Sequence, residues 1–175
     1  MDLSSDHFAL FGLPTDYAVD LALLGERYRD LQRDFHPDRA ANKSEREQRL
    51  AVQYAGMINA AYEALKSPLF RARYLLQLSG RQDQSQTTTI GDHDFLFQQI
   101  DLRERMADIG TAPDPHHAYS ELESEVEAKL LAQQNLFAQQ YAAGDLDQAE
   151  QSADKMQFFS NLLNQLQAIE DTLDD

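Results

Sequence analysis

Apolar residues recur along this chain at helical spacing. After Asp20, the residues Leu21, Leu24, Tyr28, Leu31 and Phe35 follow one another at intervals of 3, 4, 3 and 4. That is one apolar stripe on an amphipathic helix, with Asp20 as its N-cap. Arg29 and Arg33 fall on the opposite face, mixed with Glu26 and Asp30. The helix is predicted to end near Phe35, because Pro37 disfavours helical geometry at His36. Ser44 and Glu47 then form an S-x-x-E capping box, and Val52, Ala55, Ile58, Tyr62 and Leu65 make the next stripe until Pro68 stops it. The two helices share a polar loop, His36 to about Lys43, and are expected to pack antiparallel. Short helices at Phe8–Gly12 and Leu69–Leu78 would flank them.

The pattern lapses over residues 79–91, SGRQDQSQTTTIG, which are polar and aperiodic and are taken as a linker. Three helical stretches follow, from about Asp94 to Ile109, His117 to Ala143, and Asp145 to Thr172. The last two would form a hairpin at Gly144-Asp145. Nothing resembles a strand, so the fold class predicted is all-α.

The first of these three stretches has too many apolar residues for one stripe. At about 100° per residue, Phe95, Leu102, Met106 and Ile109 share one face, while Leu96, Phe97 and Ile100 lie roughly opposite with Asp101, Glu104 and Asp108. Packing the first face leaves an apolar patch rimmed by carboxylates, the build of a binding surface. The alternative buries both faces between other helices. In the last helix Ala153, Met156, Phe159, Leu163 and Leu166 form the expected core stripe, and Phe158 lies at its edge, in position to join the patch.

Composition narrows the classes. The 175 residues include no cysteine, which excludes disulfides and thiolate-held metal or iron–sulfur groups. The N-terminal MDLSSDHF lacks the basic and apolar regions of a secretory signal, and no apolar run reaches membrane-spanning length. A cytoplasmic protein with no membrane partner is expected. The net charge is −15, unevenly placed: residues 1–78 carry 10 Lys/Arg and 11 Asp/Glu, residues 79–175 carry 5 and 19. Such acidity repels phosphate backbones and argues against nucleic acid as a partner; solubility alone accounts for it equally well.

His36-Pro37-Asp38 is a weak signal by itself, and a plain local turn is its bland reading. Its placement between two antiparallel helices, behind a helix with Arg29 and Arg33 on its outer face, makes it specific. Pro37 stiffens the loop, Asp38 offers a carboxylate, His36 ring donors and acceptors, and Arg29, Arg33 and Arg39 positive charge. No cysteine or well-placed serine accompanies His36 as a nucleophile, so an enzyme is not expected. A carboxylate-bridged metal site would need E-x-x-H motifs on two helices; only Asp92-His93-Asp94 and Asp114-Pro-His116-His117 come near, and no metal or cofactor is expected.

The tripeptide in this setting resembles the J-domain. Further stretches, FALFGLP at 8–14, DLQRDFHPD at 30–38, MINAAYEAL at 57–65, SPLFRARYLLQL at 67–78 and FLFQQIDLRERMADI at 95–109, resemble the HscB family of J-domain co-chaperones of iron–sulfur cluster biogenesis. The resemblance implies a J-domain at 1–78, a linker at 79–91 and a three-helix scaffold-binding domain at 92–175. It implies two partners, an HscA-type chaperone ATPase engaged through His36, Pro37, Asp38, Arg29, Arg33 and Arg39, and an IscU-type scaffold protein. The matching scaffold-binding positions are Leu96, Phe97, Ile100, Asp101, Glu104, Asp108 and Phe158. Phe97 stands where the family often has Met, Ile100 where it has Leu, and Asp101 where it has Glu. The lack of cysteine excludes the zinc element of some eukaryotic members and implies the bacterial type. A monomer is expected. A J-domain co-chaperone for a different client is the competing reading.

Overall fold

The computed structural model describes residues 6–36, 38, 44–81 and 92–173. Among them there are α-helices and short turns and no strand. The chain divides into two compact units, Met1–Arg81 and Gln82–Asp175.

In the first unit, α1 (His7–Leu10) is capped by Asp6, whose carboxylate accepts the Ala9 N–H at 2.8 Å. α2 (Leu21–Phe35) starts where Asp20 accepts the N–H groups of Ala22 and Leu23 at 2.9 and 3.0 Å. α3 (Glu45–Lys66) opens with the full Ser44–Glu47 capping box. Ser67 closes α3 and caps α4 (Pro68–Leu78), with Pro68 in the first turn, where its missing N–H costs nothing. α2, α4 and α1 all pack on α3. Tyr28 stacks on Tyr62 at 4.0 Å and Phe35 meets Tyr54 at 5.4 Å, so α2 and α3 run antiparallel. Phe8, Phe11, Leu24, Ile58, Ala61, Leu65, Ala72 and Leu75 form the core.

Two residues of the predicted stripes are more than half exposed: Leu21 and Val52. The register explains both. Phe35 opposite Tyr54 puts Val52 level with chain beyond the end of α2. Tyr28 opposite Tyr62 puts Leu21 beyond the end of α3. A stripe is buried only where the partner helix is still present.

One core residue is charged. Arg71 of α4 is buried, and it donates from Nε to the Leu65 carbonyl at 2.7 Å, from one terminal nitrogen to Tyr17 O at 2.7 Å, and from the other to Lys66 O at 3.4 Å. Its guanidinium also lies 5.5 Å from the Tyr17 ring centre. Burial pushes the Tyr17 hydroxyl up to about 12, against the pull of Arg71.

In the second unit, α5 (His93–Asp108) runs into a 3-10 turn (Ile109–Thr111), followed by α6 (Pro115–Ala142) and α7 (Leu146–Leu173). Asp92 and Asp114 cap α5 and α6, which makes both histidine-containing stretches helix starts. No cluster of three or more potential metal ligands occurs among the described residues. α6 and α7 pack along their lengths, joined through Gly144 at φ +76°. The core is Phe95, Leu102, Ile109, Tyr119, Leu122, Val126, Phe159, Leu162 and Leu166. Leu162 takes the fully buried position expected for Leu163, which packs at the core's rim. α7 buries more than a single stripe, because α5 and α6 both lean on it: Asp92 and Phe95 of α5 reach Lys155 and Phe159. No helix among the described residues is long and apolar enough to cross a membrane.

Candidate partner-binding surfaces

The loop after α2 presents the first candidate surface. His36 leaves the helix with φ −61° and ψ 131°, the extended geometry required before proline. The Asp38 N–H donates to His36 Nδ1 at 3.3 Å, and an Asp38 carboxylate oxygen lies 3.5 Å from the same nitrogen. The side chains are 52% and 90% exposed, so neither is enclosed. Arg33 is exposed and pairs with Asp30 at 2.9 Å, so part of its charge is already met on its own helix. Arg29 is exposed as well. Pro37 and Arg39 lie outside the described residues.

The second surface is on α5. Phe95, Leu102 and Ile109 are buried, whereas Leu96, Phe97 and Ile100 are 50%, 70% and 45% exposed. Asp101, Glu104 and Asp108 are exposed on the same side. The wheel is therefore split as its periodicity predicts, and the alternative in which both faces are core does not hold. Phe158 lies at the edge of the core. It is half-buried, edge-on to Phe95 at 5.5 Å and Phe159 at 5.4 Å, and belongs to the wall of the core as much as to the patch.

The helix that carries the patch is fastened at both ends. At its start, Asp92 accepts the Phe95 N–H at 3.0 Å and pairs with Lys155 of α7 at 2.7 Å, while Lys155 also sits over the Phe95 ring at 5.1 Å. The hydrogen bond from Lys155 holds the Asp92 carboxyl below its usual range. Further along, Arg105 binds Glu125 of α6 at 2.7 Å and approaches Asp101 at 3.7 Å. Burial alone would raise the Glu125 carboxyl, but Arg105 and Lys129 outweigh it and bring it below its ordinary value.

Sequence reasoning missed one group. Arg103 of α5 lies over the Phe158 ring, 5.2 Å from its centre. A cation beside an aromatic ring of another helix has no signature in linear spacing.

A family model described as the HSCB C-terminal oligomerisation domain matches residues 91–167. A co-chaperone protein HscB homolog of Aeromonas salmonicida is 43% identical over 170 residues, covering 96% of this chain and 98% of the relative. The chain belongs to the HscB co-chaperone family. Solved HscB structures share the fold across both units. The HscB of Vibrio cholerae superposes with a TM-score of 0.88 at 36% identity, over 97% of this chain and 99% of that one. Human HscB superposes with 0.91 at 30% identity, over 97% and 84%. The helices of the first unit are thus an HscB-type J-domain, and those of the second are the three-helix bundle of the same family.

Proposed function

We propose that this HscB-family chain is a two-handed adaptor in iron–sulfur cluster assembly. The loop of residues 1–78 docks on an HscA-type, DnaK-like chaperone ATPase. After a linker at 79–91, residues 92–175 hold an IscU-type scaffold, whose cluster is cargo rather than a cofactor of this chain. The chain performs no covalent step of its own.

The observation that carries this reading is the divided α5. Three large apolar side chains stand exposed beside three carboxylates on a helix whose other face is fixed in a core. A protein surface seldom leaves such a patch without a partner. Association buries the apolar centre, and Asp101, Glu104 and Asp108 favour a basic rim on the partner.

On the J-domain side, His36 and Asp38 offer ring nitrogens and a carboxylate acceptor, both exposed. Arg29, Arg33 and Arg39 add positive charge directed at an acidic chaperone surface. Docking there stimulates hydrolysis only if it favours the hydrolysis-competent conformation of the chaperone, since a ligand with equal affinity for both states shifts nothing.

Steady-state ATPase assays with the cognate chaperone, with and without scaffold, test the proposal. His36→Gln should bind scaffold normally and fail to stimulate hydrolysis. Leu96→Ala with Phe97→Ala should stimulate basally but lose the added effect of scaffold, with an affinity reduced at least tenfold, as expected for truncating patch anchors. These two are preferred to Phe158→Ala, which would also open the core. Normal stimulation by His36→Gln would end the docking role of the loop.

A further inference from the structure

Beside the patch, Arg103, Phe158, Asn161, Leu162 and Gln165 line a recess of about 80 Å³ between α5 and α7. Leu162 is buried at its base, while Asn161 and Gln165 stand exposed on α7. Its polar groups are biased toward donation. Arg103 has five N–H donors and no acceptor, and among the described residues it pairs with no carboxylate; its contact is the face of Phe158. The carbonyl oxygen of Asn161 already accepts from the Gln157 amide at 2.9 Å, which leaves the Asn161 NH₂ to be used. A cationic fork and an amide donor around a small hollow are complementary to an acceptor, and the strongest small acceptor is a carboxylate.

The position of Arg103 on α5 gives the recess its significance. Taking Leu96 as zero, at about 100° per residue, Arg103 falls at about −20°, Ile100 at about 40°, Glu104 at about 80°, Phe97 at about 100°, Asp108 at about 120° and Asp101 at about 140°. Across the exposed face Arg103 therefore lies at one edge beside Leu96 and Ile100, and the carboxylates gather on the other side around Phe97. Such a face is electrically polar. A partner bound to it with its charges reversed would set its bases against Arg103 and its acid against Glu104 and Asp108.

We propose that the recess takes an Asp or Glu side chain of the scaffold, held by Arg103 and Asn161, and that this contact sets the orientation in which the scaffold docks. The inference rests on the reading of α5 as the scaffold-binding face. It adds a cationic specificity residue to a surface otherwise apolar and acidic. The aromatic contact serves the same end, because the Phe158 ring, 5.2 Å from the guanidinium carbon, favours a position of the cation at the recess before the partner arrives.

The test is calorimetric titration of the full-length chain with the cognate IscU-type scaffold free of cluster. Arg103→Gln should weaken binding roughly tenfold, as for a charge-assisted hydrogen bond lost at an interface. Arg103→Glu should weaken it further, and Arg103→Lys should keep part of the affinity, since charge remains but the fork does not. Arg103→Met retains packing on Phe158 and should match Arg103→Gln in affinity, with a melting temperature close to that of the unsubstituted chain. If Arg103→Met or Arg103→Gln binds as the unsubstituted chain does while Leu96→Ala with Phe97→Ala is weakened, the recess is not read and this inference is overturned. If the Leu96, Phe97 pair also binds normally, the scaffold-binding reading of α5 falls instead.

Discussion

Arg71 is a charge enclosed without a carboxylate among the described residues. It persists because each of its three nitrogens donates to a carbonyl: Leu65 and Lys66 at the C-terminal end of α3, and Tyr17 in the chain leading to α2. A cation at a helix C-terminus is favoured by the helix dipole, and here it also satisfies carbonyls that the helix leaves orphaned. Arg71→Met would fill much of the volume but strand those oxygens. It should cost the first unit about 2–4 kcal/mol, measured by urea denaturation; an unchanged midpoint would show that water replaces the guanidinium. His7 gives a residue-level prediction of a different kind. Its ring stacks on Tyr74 at 4.1 Å, and burial lowers its pKa from 6.5, against the opposing pull of Asp6. The native state therefore binds fewer protons than the unfolded chain around and just below that value. The contribution is full above pH 6.5 and is lost as pH falls through the lower native value. The urea midpoint should drop between pH 7.5 and 5.5, and His7→Phe, which keeps a stacked ring, should flatten that part of the profile. Neither residue could be singled out in the sequence. What matters about Arg71 is carbonyls on two other segments, and what matters about His7 is a tyrosine 67 positions away.

At the scale of elements, what was legible was local. Asp20, Ser44 and Asp145 mark helix starts because a cap acts on N–H groups two or three residues away. The division of α5 into a core face and an open face was legible for the same reason, since a wheel needs only one helix. The errors lie where a second helix decides: Leu21 and Val52 run past the ends of their partners, and Leu162 replaces Leu163. Arg103 was invisible until α7 was placed beside α5. The attachment of α5 is where an element-level prediction can be made. Lys155 meets both the Asp92 cap and the Phe95 ring, so Lys155→Met should loosen the first turn of α5. Amide exchange at Phe95 to Phe97 should rise while α6 stays protected. Because Asp92 is held below 3.8, its share of this clamp is full above that value and is lost only as pH falls through the depressed native one. The exchange difference between Lys155→Met and the unsubstituted chain should thus persist at pH 5 and shrink in stronger acid. At the other hairpin, Gly144 has φ +76° with open space around its α-carbon, so Gly144→Ala should cost about 1 kcal/mol through the backbone alone.

For the whole molecule, the charge is the guide to why one chain joins the two units. The J-domain half is nearly neutral overall with arginines beside its loop, and the other half holds 19 of the 30 acidic residues. This division of charge agrees with the proposed function, in which the two units meet partners of opposite character. Each unit has its own caps and its own core, and the chain divides between Arg81 and Gln82. Under the proposed function, the covalent connection supplies proximity by making the second encounter intramolecular, at an effective concentration on the order of millimolar for a short flexible linker. Residues 1–81 and 82–175, made as separate chains, should isolate that contribution. The second fragment should bind scaffold with the affinity of the intact protein. The first should stimulate the chaperone when present in large excess. An equimolar mixture at micromolar concentration should show each activity separately, without the extra acceleration that scaffold produces with the intact chain. If the mixture reproduces that acceleration in full, presentation of the scaffold by a tether is not how the protein works, and the two units would have to communicate through contact with the chaperone itself.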